Sequence, residues 1–320
     1  MKFIDVFNGD ADGICALHQL RLAQPRQAQL VTGVKRDIAL LDRVEANAGD
    51  ELTVLDISME QNQRPLHALL EAGAKLRWFD HHRPGAIPSH SGLDAHIDTS
   101  ADTCTSLIVN RWLEDKHLVW AVTAAFGDNL HNAAHAAAAS LHLSATELDS
   151  LRELGEAINY NAYGESIDDL HFDPALLYGR LHEYVDPFNF IHEAPEFTVL
   201  RDGFQQDMRL AEDLKPEIAE PWGAVYTLPS CSWARRVSGV WANDLAQNAP
   251  DRAHAVLTKN NEGYVVSVRA PLNRRGGADE LCVQFEGGGG RKAAAGINHL
   301  SESDLGRFIS AFGKVFGANA

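Results

Sequence analysis

The first eighty residues alternate short β-like runs with helical patterns, and this alternation constrains the fold more than any other feature of the chain. Lys2–Phe7 is β-like, a polar turn follows, and Ile14, Leu17, Leu20 and Leu22 then recur at roughly helical spacing. Gln29–Thr32 begins a second unit, for which a helix is expected over Ile38–Ala46. Glu51–Ile57 reads as a third strand, Pro65–Ala72 as the next helix and Lys75–Phe79 as a fourth strand. Strands joined by helices of this length make right-handed crossovers, so the expected fold class is α/β, a parallel sheet covered by helices on both faces.

From Thr103 to Tyr184 the pattern becomes mainly helical, with helices expected over Thr103–Leu113, Leu118–Phe126, Ala145–Asn159 and Pro174–Tyr184. The alanine-rich stretch Ala133–Ala139 is helix-compatible but weakly patterned. These additional helices complete a first domain expected over residues 1–190, with its helical segment at about 130–185. Pro187, Pro195, Pro216 and Pro221 punctuate the next stretch, and residues 191–223 are read as a linker. Ala224–Leu228, Ala253–Thr258 and Gly263–Val268 look like strands and Ser303–Phe316 like a closing helix, giving a smaller α/β C-terminal domain over 224–320.

At 320 residues with 45% hydrophobic content, the chain has apolar surface for two cores. No stretch approaches the roughly 18 uninterrupted apolar residues of a membrane span. The start, MKFIDVFNGDADG, carries acidic residues and no long apolar region, so no secretory leader is expected. Cys15, Cys104, Cys231 and Cys282 are scattered without a CxxC pair, which fits a reducing, cytoplasmic setting. A formal charge of −16, from 28 basic and 44 acidic residues, disfavours long duplex nucleic acid as a partner. A short anionic substrate remains compatible where metal cations and a local basic cluster cancel the repulsion.

Chemistry emerges when the carboxylates are placed on this scaffold. Asn8-Gly9-Asp10-Ala11-Asp12-Gly13 follows the first strand, Asp56 ends the third, and Asp80-His81-His82 ends the fourth. In an open parallel sheet the carboxyl ends line one crevice, so these distant residues converge there. Alone, an Asp-Gly turn or a His pair is ordinary turn or surface chemistry. Acids and imidazoles at three strand ends together are another matter, because such a cluster repels itself unless cations are present. Carboxylate oxygen with imidazole nitrogen and no sulfur suits Mn²⁺ or Mg²⁺. His131, His135 and His142, on an alanine-rich helix, read as surface or packing residues.

These motifs resemble the DHH phosphoesterase superfamily, named for the triplet present here as Asp80-His81-His82. Asn8–Gly13 is similar to its first motif, His-x-Asp-x-Asp-Gly or a variant, Asp56 in TVLDIS to its second acidic motif, and Asp128 in AAFGDN to its fourth. Gly288-Gly289-Gly290-Arg291-Lys292-Ala293-Ala294-Ala295-Gly296 resembles the Gly-Gly-Gly-His-x-x-Ala-Ala-Gly signature of the DHH-associated substrate domain. The order and spacing cover nearly the whole chain and resemble the RecJ-like and nanoRNase-like branch. Two departures stand out: Asn8 occupies a position where many members have His or Asp, and Arg291 stands where the glycine motif usually has His.

The resemblance implies two Mn²⁺ ions, or Mg²⁺ or another divalent metal. Asp56 would bridge them, Asp10 with Asn8 would complete one shell, and Asp12, His81 and Asp128 would hold the other ion. A water between the ions would lose its proton near neutral pH and attack phosphorus in line. Asp80 would orient an imidazole, and His82 would contact phosphate or assist proton transfer. Arg269, Gly288, Gly289, Gly290, Arg291 and Lys292 would bind substrate, with the active site in the inter-domain cleft. The glycine run lets the backbone approach an anion, and the N–H groups of the segment after it favour phosphate. The activity implied is hydrolysis of short single-stranded oligonucleotides, dinucleotides or small nucleotide phosphates. A catalytically weak nucleotide-binding or sensing protein is the alternative motivated by Asn8. A pyrophosphatase-like phosphohydrolase is disfavoured by the glycine motif, because the family's pyrophosphatases carry a different C-terminal domain. A homodimer is compatible with the aromatic-rich stretch INYNAYGESIDDLHFDPALLYGRLHEY, whose rings suit either internal packing or a subunit surface.

Overall fold

The computed structural model describes residues 1–317. Near-continuous apolar runs suit strands buried on both faces, which is how parallel sheets are built. The chain runs β1 (Phe3–Phe7), α1 (Ala11–Ala23), β2 (Gln29–Val31), β3 (Glu51–Leu55), α2 (Gln63–Glu71), β4 (Lys75–Asp80) and β5 (Leu93–Ile97). These five strands form one sheet in the order β2-β1-β3-β4-β5, with every pairing parallel. From β1 the chain passes to β2 on one side, and β3 then pairs on the other. The switch point of the sheet therefore lies between the carboxyl ends of β1 and β3.

Helices α3 (Thr105–Trp112), α4 (Leu118–Gly127), α5 (His131–Ala138), α6 (Ala145–Asn161), α7 (Pro174–Leu181), α8 (Pro187–Glu193) and α9 (Pro195–Glu212) follow. Side chains alternate across the sheet. Phe7, Leu55 and Phe79 pack with α1 and residues of α3, α4 and α6–α9, whereas Ile4, Val6, Leu52, Val54, Leu76 and Trp78 pack against α2 and the segment around Leu40. Both faces are thus covered. The aromatics of the 158–184 stretch turn inward: Tyr160 and Tyr178 are buried, and Tyr160 Oη lies 2.8 Å from His171 Nε2.

Three local readings differ from the sequence. The helix expected over Ile38–Ala46 is a single 3₁₀ turn, Leu40–Arg43. Asn62 accounts for this: its amide donates to Ile38 O at 2.7 Å and its oxygen accepts from Leu41 N at 3.3 Å, so a side chain takes backbone groups that a helix would use. Strand β5 has little sequence signal, because LDAHI is short and only half-buried at the sheet edge. Residues 191–223 hold most of α9 as well as strand β6 (Ile218–Glu220), and Pro187 and Pro195 stand at helix starts, where proline's missing N–H costs nothing.

The chain divides into two compact units, Met1–Gly203 and Phe204–Ala320, with the boundary inside α9. The second unit continues from β6 through β7 (Gly223–Leu228), α10 (Ser232–Asn248), β8 (Ala253–Asn260), β9 (Gly263–Arg269), α11 (Ala278–Cys282), β10 (Gly288–Gly290), β11 (Ala294–Leu300) and α12 (Leu305–Gly317). Its sheet runs β10-β11-β9-β8-β7-β6, with β7 and β8 parallel across the α10 crossover and the other pairs antiparallel. Phe308, Phe312 and Phe316 of α12 recur every fourth residue and bury one face of this sheet with Leu281 and Cys282 of α11. On the other face Tyr226 meets Trp241 of α10, with ring centroids 4.9 Å apart.

Beneath the first sheet Arg21 and Asp5 form a buried ion pair, with Arg21 Nε donating to Asp5 Oδ2 at 2.8 Å and Nη2 donating to Thr53 Oγ1 at 3.0 Å. Arg21→Met would strand a buried carboxylate, an effect on the order of 3–5 kcal/mol. Urea denaturation should show that loss, and Arg21→Met with Asp5→Leu should recover most of it. A loss below about 1 kcal/mol for the single variant would show the pair to be dispensable.

Candidate metal centre

Each acidic residue of the centre is placed by the end of an element. Asn8 follows β1, and its Oδ1 accepts from Asp10 N at 3.2 Å. Asp10 is the N-cap of α1 and accepts from Asp12 N and Gly13 N at 3.0 and 3.1 Å, the capping expected of Asp there. Gly13 permits this tight start, since a Cβ on it would lie 2.2 Å from Asn8 O. Asp12, in the first turn of α1, is held by the N-terminus of α3: Thr105 N and Ser106 N each donate to it at 2.7 Å. Asp56 leaves β3 with φ 57°, a left-handed conformation that Asp tolerates better than most residues. That turn is anchored on either side, by Asp56 N donating to Phe79 O at 3.0 Å and Trp78 Nε1 donating to Ile57 O at 3.0 Å.

His81 follows β4, and its Nδ1 lies 3.1 Å from Thr103 O. A carbonyl can only accept, so Nδ1 donates to it, and Nε2 is the nitrogen turned towards the acids and the one a metal ion would take. Around that nitrogen stand Asp56 Oδ1 at 3.4 Å, Asp128 Oδ2 at 3.8 Å and Asp12 Oδ2 at 4.0 Å. Asp128 reaches the cluster as the C-cap of α4. His82 is turned differently: its Nδ1 lies 2.7 Å from Asp80 Oδ1 and 3.8 Å from Asp56 Oδ1. Asp80 is fully buried, so it orients His82, while Thr103 orients His81.

Among the described residues, two triads have ligand atoms close enough to share an ion, Asp56–His81–His82 and Asp12–His81–Asp128. The donor set is hard carboxylate oxygen with imidazole nitrogen, which fits Mn²⁺ or Mg²⁺. Asp10 belongs to neither triad. Its Oδ2 instead accepts from Lys35 Nζ at 2.5 Å, and the same ammonium lies 3.5 Å from Asp128 Oδ1 and donates to Asn159 Oδ1 at 3.1 Å.

Titration behaviour follows from this packing. Burial raises Asp56 well above the usual carboxylate range, and the charges of Asp10 and Asp12 add to the effect. Burial also lifts Asp128, which the charges of Asp12 and Asp10 help carry to about 6 against the pull of Lys35 and His81. Burial alone would lower His81, but its contact with Asp56 and the charges of Asp12, Asp56 and Asp128 push it up to about 10. Burial would raise Asp10 too, yet the Lys35 ammonium and the Gly13 amide hold it below its ordinary value. Without a metal, protons thus relieve the repulsion.

In the second unit Gly288, Gly289 and Gly290 form edge strand β10, and Arg291–Ala294 is the tight turn into β11, with Arg291 N donating to Ala294 O at 2.8 Å. Packing explains two of the glycines: a Cβ on Gly288 would lie 1.9 Å from Cys282 O, and Gly290 has φ 143°. Gly289 has open space around it. Arg291 and Lys292 are exposed on the turn. Arg269, at the end of β9, pairs in register with Ala294 and donates to Asn243 Oδ1 at 2.6 Å, so it shares the hairpin's end of the sheet. His131 and His135 pack around Phe126, with ring centroids 5.9 and 5.3 Å from it.

Sequence reasoning missed Lys35, Asn159, Thr103, Thr105 and Ser106. A signal existed for Lys35, because GVKRD follows the carboxyl end of β2, which opens on the same crevice.

A parallel sheet ordered β2-β1-β3-β4-β5, with acids and histidines at its carboxyl ends, and a second unit built on a mixed sheet make a two-unit α/β fold that recurs in solved structures. No family model and no curated protein matches the sequence. Among solved structures the chain is similar to the exonuclease RecJ bound to manganese, with TM-score 0.63 and 17% identity over 97% of this chain and 89% of that one. It is similar also to the pGpG-specific phosphodiesterase PggH from Vibrio cholerae, with TM-score 0.58 and 14% identity over the full length of both. RecJ from Thermus thermophilus in complex with Mn²⁺ matches with TM-score 0.58 and 15% identity over 97% of this chain and 51% of that one, so this chain spans about half its length. At these identities the likeness is one of fold. No helix among the described residues is long and apolar enough to cross a membrane.

Because a metal ion must displace protons from this cluster, its affinity should rise with pH. Below about 6 Asp128 is protonated, and Mn²⁺ affinity is expected to fall there by up to tenfold per pH unit for each proton displaced. Calorimetry in buffers of different ionisation enthalpy should show proton release on binding. An affinity independent of pH would contradict this.

Proposed function

We propose that the chain is a divalent-metal-dependent phosphoesterase that hydrolyses short single-stranded oligonucleotides, dinucleotides or small nucleotide phosphates. One observation carries the reading: Asp12, Asp56, His81 and Asp128, from four separate segments, meet around a single imidazole nitrogen. A core of buried acids gains nothing for stability and is what a metal site requires. The likeness in fold to RecJ and PggH, an exonuclease and a phosphodiesterase, supports the same class.

A bound Mn²⁺ or Mg²⁺ would lower the pKa of a coordinated water and neutralise charge developing on the phosphoryl oxygens. Asp12, Asp56, Asp128 and His81 Nε2 are the groups that would hold it. The amides of α3 fix Asp12, and Thr105 Oγ1 donates to Asp56 Oδ1 at 3.2 Å, so both carboxylates keep one orientation. His82, half-exposed and held through Nδ1 by Asp80, is the proposed group to contact the phosphate or assist proton transfer. Arg269, Gly288, Gly289, Gly290, Arg291 and Lys292 are the proposed substrate-binding residues of the second unit. The guanidinium of Arg291 suits bidentate phosphate contact. The formal charge of −16 favours short substrates over long nucleic acid. Four free cysteines, three of them buried, suit the reducing cytoplasm as the protein's compartment.

The test is a panel of a short labelled RNA, linear and cyclic dinucleotides, 3′-phosphoadenosine 5′-phosphate and pyrophosphate with saturating Mn²⁺. Mononucleotide release from the RNA or a linear dinucleotide is expected. Asp56→Asn should lower that rate by roughly 10³-fold, the equivalent of about 4 kcal/mol of lost transition-state stabilisation. Tight binding without product at high protein concentration would sink the hydrolase and leave a nucleotide-binding protein.

A further inference from the structure

We infer that Lys35 serves as a built-in cation of the centre, its ammonium standing where a second metal ion would otherwise sit, so that the chain binds one divalent ion. The inference rests on the metal-centre reading above and deepens it. An ammonium has three donors, and Lys35 Nζ meets three acceptors, Asp10 Oδ2 at 2.5 Å, Asn159 Oδ1 at 3.1 Å and Asp128 Oδ1 at 3.5 Å. Its backbone is pinned on both sides: Lys35 N donates to Ala162 O at 2.9 Å, and Asn8 Nδ2 donates to Lys35 O at 3.3 Å. A surface lysine swinging into a cleft would show no such anchoring. The Tyr163 ring centroid, 5.7 Å from Nζ, adds a further weak attraction for the positive charge.

Asn8 contributes independently. Asn8 supplies no charge for an ion beside Asp10, and its amide is anchored at both ends: the oxygen accepts from Asp10 N at 3.2 Å and the nitrogen donates to Lys35 O at 3.3 Å. The residue is therefore a bracket between the first strand and the lysine loop. The metal-capable triads among the described residues omit Asp10 altogether. Both triads also depend on His81, whose Nε2 has one lone pair and serves one ion. The arrangement is one ion beside His81 and one ammonium beside Asp10, with Asp128 facing both.

Lysine differs from a metal in what it supplies. It neutralises one negative charge where a divalent ion neutralises two, and it cannot act as a Lewis acid towards water. It is also never lost to chelation.

Mn²⁺ titration of the full chain, by calorimetry and by metal analysis after dialysis, tests this. The wild type should bind about one ion per chain, Lys35→Arg about one, and Lys35→Met about two as the Asp10 position opens. Electron paramagnetic resonance should show isolated Mn²⁺ in the wild type and a spin-coupled pair in Lys35→Met, with circular dichroism checking that each variant is folded. Two ions on the wild type with Mn²⁺-dependent hydrolysis intact would overturn the assignment of Lys35 and leave the phosphoesterase standing. One ion on the wild type, Lys35→Met and Lys35→Ala alike would overturn it too. No ion on any variant would overturn the metal-centre reading itself.

Discussion

Four carboxylates at the ends of β1, β3 and α4 are pressed together in the crevice of the first sheet, and three of them are almost wholly buried. Like charges so close in a low-dielectric site cannot all stay ionised without compensation. The rest of the arrangement answers that constraint. Lys35 settles the Asp10 side, the helix N-terminus of α3 settles part of Asp12, and the remaining charge around His81 calls for a divalent cation. The raised values of Asp56 and Asp128 are the same conflict expressed as protons.

The fold places this conflict where it is useful. Sheet order β2-β1-β3-β4-β5 opens the crevice between β1 and β3, so Asn8, Asp10 and Asp12 on one side face Asp56 on the other without any unusual backbone beyond the left-handed turn at Asp56. The pairings across the site then sort the two histidines. His81, bonded to a backbone carbonyl, offers a ligand nitrogen, and His82 is held through its Nδ1 by buried Asp80. Adjacent residues of one triplet thereby take different chemistry.

Much of this was legible in the sequence because strand-end acids obey a geometric rule that needs no side-chain detail. Asp10, Asp12, Asp56 and the Asp80-His81-His82 triplet follow from it directly, once β1, β3 and β4 are read from their apolar runs. What stayed hidden depends on contacts made by atoms far apart in the chain. The 3₁₀ turn at Leu40 is imposed by Asn62, some twenty residues on, and α10, half of whose buried residues are alanine and one of which is Arg236, carries little helical signal. Lys35 lies in the loop after β2, which opens on the same crevice, but a lone lysine there carries no metal-site signature of its own. Which imidazole Asp80 orients was equally unreadable, since both follow it in sequence.

Crystals grown with Mn²⁺ and measured at the manganese absorption edge test the central claim most directly. The account predicts a strong anomalous peak within about 2.5 Å of His81 Nε2 and carboxylate oxygens of Asp12, Asp56 and Asp128. No peak there at saturating Mn²⁺, with those four side chains pointing apart, would contradict it.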